Sequence, residues 1–156
     1  MKKKYGILLV ALFVLLTGCT KVGGSYKEGT YLGSVQYESY GSKYVTTAVI
    51  YVDETGLIKS CFIDSTYAKD SVNTTKKTLG NDYGMKESSA SMGTIEGGAE
   101  WYEQINVIEQ KIVSEQGIDW VSWSDAEETK LDSISGVTIS ANTYIEAVSE
   151  ALNKAK

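Results

Sequence analysis

The spacing of apolar and polar positions changes character along the chain. Residues 31–37, 44–52 and 57–63 are dense in β-branched and aromatic side chains, and Asp53-Glu54-Thr55-Gly56 between the last two has turn chemistry. Together they predict a meander of about three antiparallel strands. Residues 64–98 are polar and glycine-punctuated, with little period. Such a stretch inside a small domain is either functional or a polar excursion with one short helix. From 99 to 116 a helical period takes over: Trp101, Ile105, Ile108 and Ile112 form one apolar stripe, and Gly117 suits a C-terminal stop. Residues 118–123 read as a strand or a buried turn. Over 140–154, Tyr144, Ile145, Val148, Ala151 and Leu152 define a second amphipathic helix. Ser140, Asn142 and Thr143 are its candidate caps, Thr143-Tyr144-Ile145-Glu146 has capping-box form, and Lys154 suits the C-terminal dipole. The expected class is α+β, an antiparallel β-meander packed against two or more helices in a single small domain.

Composition narrows the chemistry. The chain has 156 residues, 42% hydrophobic and 22% charged, which supports one packed core. Histidine and proline are absent, and all 15 positive charges are lysines. Without histidine there is no Ser-His-Asp triad, no Cys-His pair and no His-based metal site. A hydrolase is the least supported class. A net charge of -5 and the lack of arginine argue against nucleic acid as a partner.

Lys2, Lys3 and Lys4 precede an apolar stretch over 7–16 that is too short to span a bilayer but fits a signal-peptide core. It ends Leu16-Thr17-Gly18-Cys19, which resembles the lipobox of bacterial lipoproteins. That resemblance implies a signal peptide over 1–18, lipidation (palmitate included) at Cys19, and a place on the extracytoplasmic face of the cell membrane. Residues 19–25, with Gly23-Gly24, then read as a tether, and 26–156 as the domain. Cys61, in a strand-like run, is left without a disulfide partner and reads as a small buried residue.

The segment just before the last helix is Asp132-Ser133-Ile134-Ser135-Gly136-Val137-Thr138-Ile139-Ser140. Taken by itself it is a hydroxyl-rich turn opening a helix. Either it caps that helix, or its unpaired N–H groups and the helix dipole hold a phosphate near Thr138, with Gly136 permitting close approach. The segment is similar to the target motif of the FMN-binding domain of covalently flavinylated bacterial proteins: an acidic residue, two variable positions, Ser or Thr, Gly, a small residue, then Thr. Asp132, Ser135, Gly136 and Thr138 match; Val137 stands where the family most often has Ala. The opening Gly29-Thr30-Tyr31-Leu32-Gly33, the Asp53 to Ile58 hairpin, Tyr83-Gly84-Met85-Lys86 and Glu100-Trp101-Tyr102-Glu103-Gln104 also resemble the repeat domain of Gram-positive lipoproteins used in extracellular electron transfer.

The resemblance implies FMN joined to Thr138 through a phosphoester, installed by a separate FAD-dependent flavin transferase. The protein would then be an electron carrier rather than an enzyme, with a membrane electron donor and an external or protein acceptor as partners. Ser135 would donate to the phosphate, and Asp132 would serve transferase recognition or cap the turn. For the isoalloxazine ring the candidates are Tyr83, Met85 and Trp101 as an apolar surface and Lys86 or Gln104 at its edge. The competing expectations are a lipid-anchored ligand-binding or sensory domain without covalent flavin, with its tyrosines and tryptophans lining a pocket, and a structural envelope domain.

Overall fold

The computed structural model describes residues 23–156, so the signal peptide and the lipidation at Cys19 fall outside the described residues. Four strands, β1 (Gly29–Ser39), β2 (Ser42–Val52), β3 (Ile58–Lys69) and β4 (Val72–Thr75), form an antiparallel sheet in chain order. The expected meander is present but longer by one strand. β3 runs on to Lys69 and turns back through Asp70 and Ser71, both left-handed at φ 51° and 65°. Asp and Ser tolerate that conformation, yet the pair is a weaker hairpin signal than Asn-Gly.

The rest of the polar stretch is also more structured than one short helix. It contains α1 (Lys76–Leu79), a 3₁₀ turn (Gly80–Tyr83) and α2 (Lys86–Ser91). All three are too short to show a period. The long helices α3 (Trp101–Glu115) and α4 (Asn142–Lys154) lie on one face of the sheet. Ala48, Ile50 and Val52 from β2 and Ile58, Cys61 and Ile63 from β3 meet their stripes in a common core. Cys61 is buried as expected, and burial pushes its thiol up to about 12.

The same two helices cover the sheet edges, which would otherwise offer unpaired backbone groups. On β1, the Ser34 N–H donates to the Glu150 carboxylate at 2.8 Å and Lys154 donates to the Leu32 carbonyl at 2.7 Å. On β3, Gln116 accepts from the Ile58 N–H at 2.7 Å and donates to the Ile58 carbonyl at 3.0 Å, while Glu109 accepts from the Ile63 N–H. At Gly33 of β1 the fit leaves no room for a side chain: a Cβ there would lie 1.9 Å from the Ala147 carbonyl oxygen of α4.

Several local expectations change. The residue that ends α3 in the left-handed conformation is Gln116 (φ 57°), not Gly117. Its bonds to Ile58 hold it there despite the steric cost of a side chain at positive φ. None of Ser140, Asn142 and Thr143 caps α4. The cap position is Ala141, which has no side-chain acceptor, and Thr143 instead accepts from Thr46 at 3.4 Å. Residues 118–123 form a turn, with Trp123 making a lone bridge to Leu131. The end of the expected tether is docked: Gly24 donates to Thr55 at 2.8 Å, and Lys27 donates to Ala155 at 2.7 Å. Among the described residues, no helix is long and apolar enough to cross a membrane.

Candidate functional site

Thr138 sits in the loop that delivers the chain to α4, and one side chain organises that loop. Gln104, fully buried in the first turns of α3, turns its amide oxygen toward three donors. These are the Thr138 N–H at 2.7 Å, the Thr138 hydroxyl at 3.1 Å and the Ile139 N–H at 3.2 Å. Its amide nitrogen donates to the Ala99 carbonyl at 3.2 Å and to the Ser89 hydroxyl at 3.4 Å. The carboxamide is therefore committed beneath Thr138 rather than left over for a ring edge. A buried amide with its partners in place fixes the loop rigidly, because each lost partner would cost a desolvation penalty.

The neighbouring residues of the motif take different positions. Val137 points into the core, 8% exposed, so its two methyls lie away from solvent. Gly136 is left-handed at φ 81°, and a Cβ there would meet nothing within 4 Å. Ser135 is exposed and borders an open groove of about 480 Å³ shared with Val107, Gln110, Lys111 and Ser114. The Asp132 carboxylate accepts from the Ser122 hydroxyl, and the Asp132 N–H donates to the Ser122 carbonyl at 3.1 Å, tying the motif to the turn before it. Beyond the loop, the first N–H groups of α4 receive no side-chain cap among the described residues. Open donors and a helix dipole at this end favour an anion.

The Tyr83 to Lys86 segment is pinned to α3 through Glu100. That buried carboxylate accepts from the Met85 N–H at 2.9 Å and the Lys86 N–H at 3.1 Å, while Glu103 accepts from the Glu100 N–H at 2.7 Å. Gly98 lies so close to α2 that a Cβ would fall 2.1 Å from the Lys86 carbonyl oxygen. Tyr83 and Met85 are half-buried against the core, and the Lys86 side chain is exposed. Of the expected ring-surface residues, Trp101 is core, 1% exposed, with its indole N–H donating to the Tyr144 hydroxyl at 3.0 Å.

A cluster that the sequence does not announce lies one turn of α3 from Gln104. The Lys76 ammonium donates to the Tyr144 hydroxyl at 3.2 Å and stands 5.4, 5.3 and 5.9 Å from the ring centroids of Tyr83, Trp101 and Tyr144. Lys76 is only 9% exposed, and no described carboxylate pairs with it. Outward from the cage, Tyr83 packs edge-on against Tyr67 at 5.1 Å. Tyr67, Tyr44 and Tyr37 then stack across the three long strands at 6.2 and 5.3 Å. Tyr44 and Tyr67 border a groove of about 460 Å³, together with Lys43, Asn73 and Thr75. The sequence offered one usable sign of this ladder: Tyr37, Tyr44 and Tyr67 share the inward parity of their strands. Lys76 gave none, sitting beside Lys77 in a polar run.

Burial lowers the Lys76 ammonium from 10.5 to about 8, with Asp64 opposing part of the shift. A lowered native value means that the folded protein releases this proton before the unfolded chain does. Between about pH 8 and 9 the unfolded state then binds more protons at this group, and stability rises with pH. Above the ordinary thiol value of 9.0 the raised thiol of Cys61 opposes the trend, and above 10.0 the raised phenols of Tyr83 and Tyr144 reverse it. Denaturant unfolding should show an increase of about 1 kcal/mol or less between pH 8 and 9. Lys76→Met should lack the increase.

No family model and no curated protein matches the chain. A solved structure from Clostridium thermocellum, a solution NMR structure of a Northeast Structural Genomics Consortium target, is similar to it over 82% of this chain and 91% of that one. The identity is 26% and the TM-score 0.53. The likeness supports the α+β fold.

Proposed function

We propose that the chain is a lipid-anchored, extracytoplasmic flavoprotein that carries FMN phosphoester-linked to Thr138 and acts as an electron carrier. The observation that carries the reading is the setting of Thr138: a motif hydroxyl in a loop clamped by the buried Gln104, directly before an uncapped helix. Before attachment the Gln104 oxygen accepts a hydrogen bond from the hydroxyl and orients the side chain. Esterification removes that proton, yet the Thr138 and Ile139 N–H groups still bind Gln104, so the clamp survives modification. The open space at Gly136 leaves room for a phosphate, and the free donors of α4 favour its charge. With these groups the residues present fit the phosphate of a phosphoester at Thr138.

When bound, FMN supplies the electron chemistry: it accepts and releases electrons between a membrane donor and an external or protein acceptor. The residues of this chain hold it and set its surroundings. Asp132 fixes the entry to the loop, Ser135 offers a hydroxyl at its exposed tip, and Glu100 holds the backbone of Met85 and Lys86 against α3. Covalent attachment suits a carrier outside the cell, where a diffusible cofactor would be lost. The groove beside Tyr44 and Tyr67 supports a second reading, a domain that stacks a planar ligand reversibly.

Chain co-expressed with an FAD-dependent flavin transferase should retain flavin fluorescence after denaturing electrophoresis, and Thr138→Ala should lose it while unfolding within about 1 kcal/mol of wild type. A fluorescent Thr138→Ala band would move the attachment elsewhere. Dark wild type with reversible ligand binding would favour the second reading.

A further inference from the structure

We infer that the open face of the sheet rests on the membrane, with Leu32, Val49, Tyr51 and Phe62 against the lipid headgroups and the helix layer turned outward. The inference rests on the lipid-anchored part of the proposed reading and adds to it the surface that meets the lipid.

Strand register assembles the patch. Leu32 of β1 pairs with Val49 of β2, and Val49 pairs with Phe62 of β3, so the three side chains form one row across the strands. Tyr51 stands two residues along β2, on the same face. The strand residues of opposite parity, Ala48, Ile50, Cys61 and Ile63, are buried in the core shared with α3 and α4, so the row points away from the helices. Leu32, Tyr51 and Phe62 are 53%, 43% and 47% exposed, and Val49 is half-buried between them.

The surroundings of the row suit lipid headgroups. Thr30, Ser34, Thr47 and Ser60 contribute hydroxyls on the same face. The strand carboxylate next to the row, Asp64, is held by the Ser65 and Lys77 N–H groups at 2.8 and 3.0 Å. The Lys77 ammonium lies 4.3 Å from the centre of the Phe62 ring. In a chain with 20 acidic residues and a net charge of -5, this face sets few carboxylates against an anionic bilayer. Tyr and Lys side chains also settle with an apolar body inward and a polar tip in the headgroups.

The anchor lies at the same end of the domain. Three residues separate Cys19 from Gly23, a span of at most about 14 Å. From there the chain is seated on the turn between β2 and β3. Gly24 donates to the Thr55 carbonyl at 2.8 Å and Tyr26 to the Gly56 carbonyl at 3.4 Å, and a Cβ at Gly24 would fall 1.8 Å from the Gly56 carbonyl oxygen. Tyr51 is two residues from that turn, so a lipid on Cys19 holds the near end of the patch close to the bilayer. A patch of four side chains would not retain a free domain, but a short tether makes the contact intramolecular, and a weak attraction then suffices. A second copy of the chain fits less well. The row spans about 10 Å across the strands and about 7 Å along β2, well short of the roughly 800 Å² per partner of a stable dimer. The helix layer, which holds the Thr138 loop through Gln104, is left facing a transferase or an acceptor.

The test places the lipidated chain in vesicles of phosphatidylcholine and phosphatidylglycerol that carry a nitroxide quencher on their headgroups. A fluorophore is attached at Ser60→Cys on the open face or at Ser114→Cys on α3, both exposed. Both positions are two residues from the Ile58 and Gln116 pair, so they share one end of the domain and differ in layer. Cys61 is buried and its thiol is pushed up to about 12, so the added cysteine is the one that reacts. The expected result is quenching at position 60 at least twofold stronger than at position 114. Leu32→Glu with Phe62→Glu should remove the difference; Leu32→Ser with Phe62→Ser serves if the charged pair does not fold. Equal quenching at the two positions, or a difference that survives these substitutions, overturns the inference. Sedimentation of the detergent-solubilised chain as a pair that the same substitutions separate overturns it in favour of a second copy. A chain whose mass shows no lipid on Cys19 overturns the anchored reading, and this inference with it.

Discussion

Gly33→Val is expected to abolish the folded domain. The reason is the small-residue seam on which α4 crosses the sheet. Gly33 of β1 pairs with Ala48 of β2, and Ala147 and Ala151 of α4 lie over them, the three alanines fully buried. A Cβ at position 33 would come within 1.9 Å of the Ala147 carbonyl oxygen and 2.7 Å of the Ala151 N. Those atoms are helix backbone and cannot rotate away. Even Gly33→Ala would have to lift α4, which also carries Tyr144 and the bonds of Glu150 and Lys154 to β1. The cost for alanine is about 3 kcal/mol or more, at the upper end of overpacking effects, and valine adds two further methyls. Circular dichroism should show a cooperative thermal transition for wild type, a lowered one for Gly33→Ala and none for Gly33→Val. A Gly33→Ala variant as stable as wild type would mean that α4 does not pack this closely.

Gln104→Leu should have the largest effect of any change near Thr138 that leaves the hydroxyl itself in place. Leucine keeps the bulk and removes five hydrogen bonds at once. The Thr138 and Ile139 N–H groups and the Ala99 carbonyl lose their partner. At about 1–3 kcal/mol for each buried group left unpaired, the summed loss is about 3–5 kcal/mol after relaxation. The loop then no longer presents Thr138 in one geometry, and flavin incorporation should fall at least tenfold. Gln104→Glu separates the two consequences. Its carboxylate can accept the same three donors but cannot donate to Ala99 or Ser89, so it should recover part of the incorporation. Equal incorporation in wild type and Gln104→Leu would show that the clamp has no part in modification.

The parts of the fold written in strong periodicity were legible in the sequence. The stripe Trp101, Ile105, Ile108 and Ile112 and the stripe from Tyr144 to Leu152 are the buried faces of α3 and α4. The run dense in β-branched and aromatic residues over 44–52 lies in β2, whose buried positions are Thr46, Ala48, Ile50 and Val52. What escaped was held by single contacts rather than by pattern. β4 depends on the left-handed pair Asp70 and Ser71, and α2 is held by Glu100 and Gly98. The end of α3 at Gln116 depends on bonds to Ile58, more than fifty residues away.

The candidate site divides in the same way. The motif marked Thr138, and the same reading picked Gln104 and the Tyr83 to Lys86 segment. It offered Lys86 or Gln104 for a ring edge, and the Gln104 carboxamide is engaged beneath Thr138. Helix start signals at Ser140, Asn142 and Thr143 suggested caps, yet the cap position falls on Ala141, which has no side-chain acceptor. Lys76 was invisible because nothing in a Lys-Lys pair says which member is enclosed. Only the return of β4 against β3 brings it under Tyr83.

The most direct test of the central claim is the intact mass of the chain co-expressed with an FAD-dependent flavin transferase, wild type beside Thr138→Ala. The account predicts an added mass of FMN less one water on wild type and none on Thr138→Ala. Wild type with no added mass, or Thr138→Ala with the same addition, would contradict it.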